Sequence, residues 1–289
     1  MTKQYKNSLK FGLPVASTTL CVVGTLANLT SLSYFIKKKE KTTGDKLLML
    51  LNSVDLLLCI CATVETALLS YSYGSENVNN IWIPMAVIAV LYILLIDGTA
   101  YVTCLLSVTR AIGIVYPFYQ IRGKLLVILG IIVFVTMSVL QIPLILAGMF
   151  FSEIHELVYA RILLSLLVML TVLFATILAV HKLATADLQG AAEIVSRNNR
   201  KASWTVVILS VLFLVFNSIL LGVTFFAFTD LAGIINDERY QSLTFYGLFL
   251  AIPLNSSINP IVYLTRRSDM RQYFKQKFQN VCHQFRGRA

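Results

Sequence analysis

Long apolar runs alternate with short polar and basic stretches along the whole chain. Seven runs can be delimited, at 12–36, 47–71, 83–109, 124–150, 158–182, 202–228 and 242–264. Each exceeds the ~20 residues that carry a helix across the hydrocarbon core of a bilayer. Membrane strands would alternate apolar and polar side chains over ~10 residues, and these runs do not. The pattern predicts an all-α integral membrane protein: a seven-transmembrane helix bundle over 12–264, preceded by a short extracellular N-terminal segment at 1–11 and followed by a cytoplasmic tail at 265–289. The division between the fourth and fifth runs rests only on Ser152, Glu153, Ile154, His155 and Glu156.

Composition supports this class. Hydrophobic residues make up 57% of the chain and charged residues 13%, about half the charged share of an ordinary soluble domain. No polar stretch is long enough to carry a core of its own. The net charge of +10 does not mark a nucleic-acid surface, because the basic residues sit in connections between apolar runs. Their placement gives an orientation instead. Lys37, Lys38, Lys39, Lys41 and Lys46 follow the first run, Arg122 and Lys124 the third, and Lys182, Arg197, Arg200 and Lys201 the fifth. The stretch 72–82 has no Lys or Arg, and 229–241 has only Arg239 beside three acids. The N-terminus is therefore expected outside and the tail inside. Lys3, Lys6 and Lys10 oppose that assignment, and the first run is expected to act as its own signal anchor. Four of the five cysteines fall inside runs, where a thiol behaves as a small apolar group. No metal-type Cys/His spacing is present.

Polar side chains inside the runs carry the candidate chemistry, since a polar group in hydrocarbon needs a protein partner or a water-filled cavity. Asp55 falls near mid-membrane, where a charge costs roughly 2.5–3.5 kcal/mol. Glu65 lies ten residues further along, about 15 Å at 1.5 Å per residue. It either lines a cavity or reaches the outer headgroups. Gly24 and Asn28 share one helix face. At 100° per residue, Thr99 and Tyr92 fall within about 20° of the face of Arg110, while Asp97 points about 140° away. The last run carries Asn255, Ser256, Ser257 and Asn259, then Pro260, which lacks the N–H that would continue the helix ladder. Met270, Phe274 and Phe278 then recur every four residues among Arg266, Arg267, Arg271, Lys275 and Lys277. That is an amphipathic helix suited to an anionic inner leaflet. Cys282 follows as either a palmitoylation site or a free thiol.

Asn259-Pro260-Ile261-Val262-Tyr263 at the inner end of a seventh span resembles the seventh-helix motif of the rhodopsin-like G-protein-coupled receptors. Arg110, with Pro117 seven residues later, resembles the inner end of that family's third helix, and Asp55 its second-helix carboxylate. The resemblance extends over about 12–282 and suggests a divergent, chemosensory-like member. It implies an unidentified extracellular ligand, a heterotrimeric G protein as partner and a plasma-membrane location. It also implies roles in coupling and activation for Arg110, Thr109, Tyr263, Asn259 and Pro260. A polar core of Asp55, Thr99, Asn255, Ser256, Asn259 and Asn28 would follow, in which Asp55 either binds sodium or is protonated and hydrogen-bonded to Asn255 or Asn259. Ligand-pocket candidates, by helix position alone, are Tyr92, Glu65, Tyr101, Asn217 and Tyr246.

The chain departs from the family in several places. Thr109 stands where an acid would clamp Arg110, which predicts basal signalling. The stretch around Met85 and 151–161 lack the cysteines of the family's outer disulfide. Asn217 and Ile219 replace the Trp and Pro of the sixth helix. Tyr92 stands where amine receptors of the family carry an Asp, which argues against an aminergic ligand. A competing class is a transporter or channel using Asp55, Glu65 and Asp97 as an ion path. A retinal protein would need a buried Lys in the seventh span, where Pro253 stands instead. No nucleophile–base pairing suggests an enzyme.

Overall fold

With no water in the hydrocarbon core, backbone N–H and C=O groups must pair within the chain, and uninterrupted helices do this locally. The computed structural model describes residues 3–72, 82–116, 128, 130, 132, 155–185, 193–228 and 238–286. Seven helices are formed among them: α1 (Lys3–Lys37), α2 (Thr43–Ser72), α3 (Trp82–Val115), α4 (His155–Thr185), α5 (Glu193–Phe228), α6 (Glu238–Arg266) and α7 (Ser268–Arg286). Five contain a stretch long and apolar enough to cross a membrane: Pro14–Lys37, Thr43–Leu68, Val87–Val115, Ile162–Thr185 and Ser203–Gly222. The protein is thus an all-helical, multi-pass membrane protein. The fourth apolar run lies almost wholly outside the described residues. Within it Gly130 packs on α3, and a Cβ there would come within 2.6 Å of Leu105 Cδ1.

The helices close a ring in which α1 packs on α2, α2 on α3, α3 on α4, α4 on α5, α5 on α6, and α6 back on α1. α2 also touches α6, and α3 touches α5, across the ring. The outward faces are apolar, as a lipid-facing surface requires. On α4, Leu163, Leu167, Leu170, Phe174 and Ile177 are all exposed. α1 is helical from Lys3, so the stretch expected to precede the first span continues its helix backwards past Pro14.

Two apolar clusters set the height of the central polar groups. The larger gathers Tyr34, Phe35, Leu47, Leu51, Leu106, Leu209, Tyr263 and Met270 from α1, α2, α3, α5, α6 and α7. The other gathers Cys21, Leu58, Ala62, Tyr92 and Ile252. Between α1 and α6 the approach depends on Gly24, where a Cβ would run into Ser257 Oγ and Cys59 Sγ. Small residues of this kind let membrane helices close to backbone contact.

Candidate functional site

Asp55 lies on the inward face of α2 with no exposed surface. Its Oδ1 accepts a hydrogen bond from Thr99 Oγ1 of α3 at 3.1 Å, and its Oδ2 accepts one from Asn259 Nδ2 of α6 at 2.7 Å. One carboxyl group therefore ties three helices together. The Ser256 hydroxyl lies near the same group, without a partner that meets hydrogen-bond geometry.

Pro260 explains the neighbouring contact. Its missing N–H leaves the carbonyl four residues earlier, that of Ser256, without a helical donor. Asn28 Nδ2 fills that vacancy from α1 at 3.0 Å while also donating to Gly24 O at 3.0 Å. Ser257 Oγ adds a second α6–α1 bond, to Leu20 O at 3.1 Å. A cavity of about 20 Å3 lies beside Asp55's partners, against Thr99, Asn217 and Asn255 and otherwise apolar walls. That is room for one water.

The sequence-derived polar core is thus brought together in a definite pattern. Asp55, Thr99 and Asn259 form one hydrogen-bonded group, while Asn28 and Ser256 form another. Asn255 is a cavity wall rather than a bonded partner of Asp55. Asn217, expected in a ligand pocket, faces this same cavity and donates to Phe213 O at 3.0 Å. Hard-oxygen donors meet at Asp55, Thr99 and Ser256. Among the described residues no three His, Cys, Asp or Glu side chains converge as metal ligands. Of the remaining pocket candidates, Tyr92, Glu65 and Tyr101 do not line this cavity. Tyr92 is buried and Glu65 half-buried between α2 and α3, and Tyr101 is buried away from the cavity lining. The side chains of Tyr246 and Cys282 lie outside the described residues. Asp97 is half-buried and has an interaction of its own.

At the other end of α2, Arg110 packs over Gly44, where a Cβ would come within 2.6 Å of its Nη2. Its Nε is buried without a hydrogen-bond partner. Thr109 turns its hydroxyl back to Leu105 O and offers Arg110 no charge. Asp45, one residue from Gly44, is the nearby acid, and Arg267 is the nearby like charge. Tyr263 is fully buried edge-to-face against Phe35, 6.1 Å between ring centres.

Asp45 is a buried charged residue that the sequence reading did not single out. It is 2% exposed, yet it binds Lys38 Nζ at 2.7 Å and Arg267 Nη1 at 2.7 Å. Its Oδ2 also accepts from Thr42 N at 3.0 Å while its own N–H donates to Thr42 Oγ1 at 3.2 Å. This reciprocal pair is a capping box, and Thr42-Thr43-Gly44-Asp45 was the available signal for it. Arg267 sits at the break between α6 and α7. Its Nη2 pairs with Asp269 Oδ2 at 3.0 Å, and its guanidinium covers the Phe35 ring at 5.4 Å. Tyr34 donates to the same Asp269 oxygen at 2.6 Å. Burial acts to raise the Asp269 carboxyl, but the Arg267 and Tyr34 hydrogen bonds outweigh it and bring the group down to about 2. Burial likewise acts against the Arg267 charge, and its two aspartates more than restore it, so its pKa rises. With Met270 buried and Phe274 packed on the larger apolar cluster, and Tyr273 edge-on against Tyr34, α7 is held against the end of α1. No family model and no curated protein matches this chain.

Proposed function

We propose that the protein is a G-protein-coupled receptor of the rhodopsin-like kind. In this reading it has seven spans, its N-terminus outside the plasma membrane and its tail inside. It passes an extracellular ligand signal to a heterotrimeric G protein. The observation that carries the reading is the three-helix junction at Asp55. Thr99 and Asn259, named by their register with Arg110 and by the Asn-Pro-x-x-Tyr pattern, both bond to that one carboxylate. Two packings of a bundle can be exchanged by a ligand only if the ligand prefers one of them. A junction of three hydrogen-bonded helices beside a one-water cavity at Thr99 is the kind of element that can repack. Its hard-oxygen donors at Asp55, Thr99 and Ser256 suit a sodium ion. Arg110 and Tyr263 then act at the inner end, where the G protein docks.

Thr109 gives Arg110 no acidic clamp, so the inactive packing is weakly held and basal exchange is expected. The test is guanine-nucleotide exchange on added G proteins by the full chain in nanodiscs. Wild type should exceed empty nanodiscs, and Arg110→Ala should fall to that background. Equal exchange by wild type, Arg110→Ala and empty nanodiscs across all G-protein classes would reject the receptor reading. Uptake of a labelled solute by proteoliposomes, abolished in Asp55→Asn, would instead favour a transporter.

A further inference from the structure

α3 and α5 meet through a pair of hydroxyls. Ser107 Oγ of α3 and Ser210 Oγ of α5 lie 2.6 Å apart, and the two residues are 3% and 1% exposed. Each hydroxyl also reaches back along its own helix, Ser107 to Thr103 O at 2.8 Å and Ser210 to Val206 O at 2.9 Å. Their chain neighbours Leu106 and Leu209 belong to the larger apolar cluster. At 1.5 Å per residue, Ser107 lies ~12 Å along α3 from Thr99 and ~5 Å from Arg110. The pair thus stands between the Asp55 junction and the inner end of α3.

A hydroxyl has one proton to donate. The three oxygen–oxygen contacts therefore share two protons. If both protons went to the helix carbonyls, two oxygens would face each other with no proton between them. In this packing one serine instead donates to the other, which passes its own proton back to its helix. The carbonyl released in this way keeps its helical N–H. When α3 and α5 part, each serine returns to the carbonyl four residues before it, and neither hydroxyl loses its partner. Opening a buried ion pair would instead strand two charges.

We propose that Ser107 and Ser210 form a reversible latch that sets how readily α5 leaves α3. Opening it breaks one neutral hydrogen bond and exposes partners already in place. The inference deepens the proposed receptor by naming what holds the ligand-free packing where Thr109 supplies no acid. It rests on that reading for what the latch regulates. Helix spacing is measured without G protein, so either can fail alone.

The test uses the full chain in nanodiscs as wild type, Ser107→Ala, Ser210→Ala and the double variant. Neither alanine strands the remaining serine, which keeps its own carbonyl. Spacing is read from nitroxides at Tyr116→Cys and Val211→Cys, both exposed positions, with Cys61, Cys104 and Cys282 replaced by alanine. Each single variant should raise the ratio of longer to shorter spacing about two- to tenfold, the range of one neutral hydrogen bond. The double variant should match the single ones, since the bond is lost only once. Ligand-free nucleotide exchange should rise with the spacing ratio. If spacing shifts as expected while no protein, wild type included, drives exchange, the latch stands and the receptor reading fails. Three results would overturn the latch: an unchanged spacing ratio in both single variants, single effects that add in the double variant, or exchange by an active wild type that the variants leave unaltered.

Discussion

α2 carries two buried aspartates ten residues apart, and they are satisfied in opposite ways. Asp45, at the start of the helix, is held by two cations, Lys38 and Arg267, and by a capping box. Asp55, about 15 Å further along, is held by a hydroxyl and an amide. At Asp45 both donor and acceptor are ionised, and these pairs fix the α1–α2 connection, the α2 terminus and the α6–α7 break in one place. The bonds at Asp55 come from side chains that can turn away to a water. The first aspartate therefore suits a clamp, and the second an element that changes partners. Arg110 lies over Gly44, beside the clamp rather than the junction, so a movement of α3 at that end must shear against a fixed point.

The largest stability loss is expected at the clamp. Asp45→Ala leaves Lys38 and Arg267 without their common partner and removes the cap. Breaking a buried pair from one side typically costs about 3–5 kcal/mol. Here Lys38 is 24% and Arg267 15% exposed, so both regain some solvent and the lower end of that range applies. A thermal unfolding series in detergent should show the drop, with Asp45→Asn intermediate because it can keep the cap. If Asp45→Ala unfolds no earlier than wild type, the clamp is not what anchors α7.

Asp55→Asn should cost less, about 1–3 kcal/mol. The amide can still accept from Thr99 on its oxygen, but its NH2 then faces the NH2 of Asn259, and one of the two must turn. Function should separate the two positions more sharply than stability does. Per folded molecule, Asp55→Asn should change nucleotide exchange more than Asp45→Asn. The reverse order would mean that the switch lies at the Asp45 end.

Much of the junction was legible in the sequence because helix periodicity is rigid. A separation of eleven positions between Thr99 and Arg110 fixes a common face whatever surrounds them, and Asn259-Pro260 marks a polar break inside an apolar run. The same periodicity gave Asn217 a face and not a depth; the structure places it on the cavity beside Thr99. Asn28 was legible as an anchor, but its target was not. The Ser256 carbonyl becomes an acceptor only through the proton that Pro260 lacks. The clamp went unread for a different reason. Asp45, Arg267 and Asp269 sit among many solvated charges, and their pairing depends on three separate chain segments meeting. Only the Thr42–Asp45 cap was local enough to be read.

The smallest effect is expected at the rim of the clamp, and it can be read by pH. Asp269 is lowered from an ordinary 3.8 to about 2. A depressed carboxyl adds stability that is complete above its unfolded pKa and is lost as pH falls through its folded pKa. Its share should therefore be constant from pH 7 to about 4 and disappear between about 4 and 2. Asp269 is 46% exposed, so solvent screening keeps the amplitude below that of Asp45. The measurement is the unfolding midpoint of wild type and Asp269→Asn across this window. The two curves should lie apart above pH 4 and converge towards pH 2, because the protonated carboxyl and the amide both lack the charge that Arg267 needs. A constant offset at every pH would mean that Asp269 acts through its contact with Tyr34 and not through its charge, leaving Asp45 as the only anionic member of the clamp that matters.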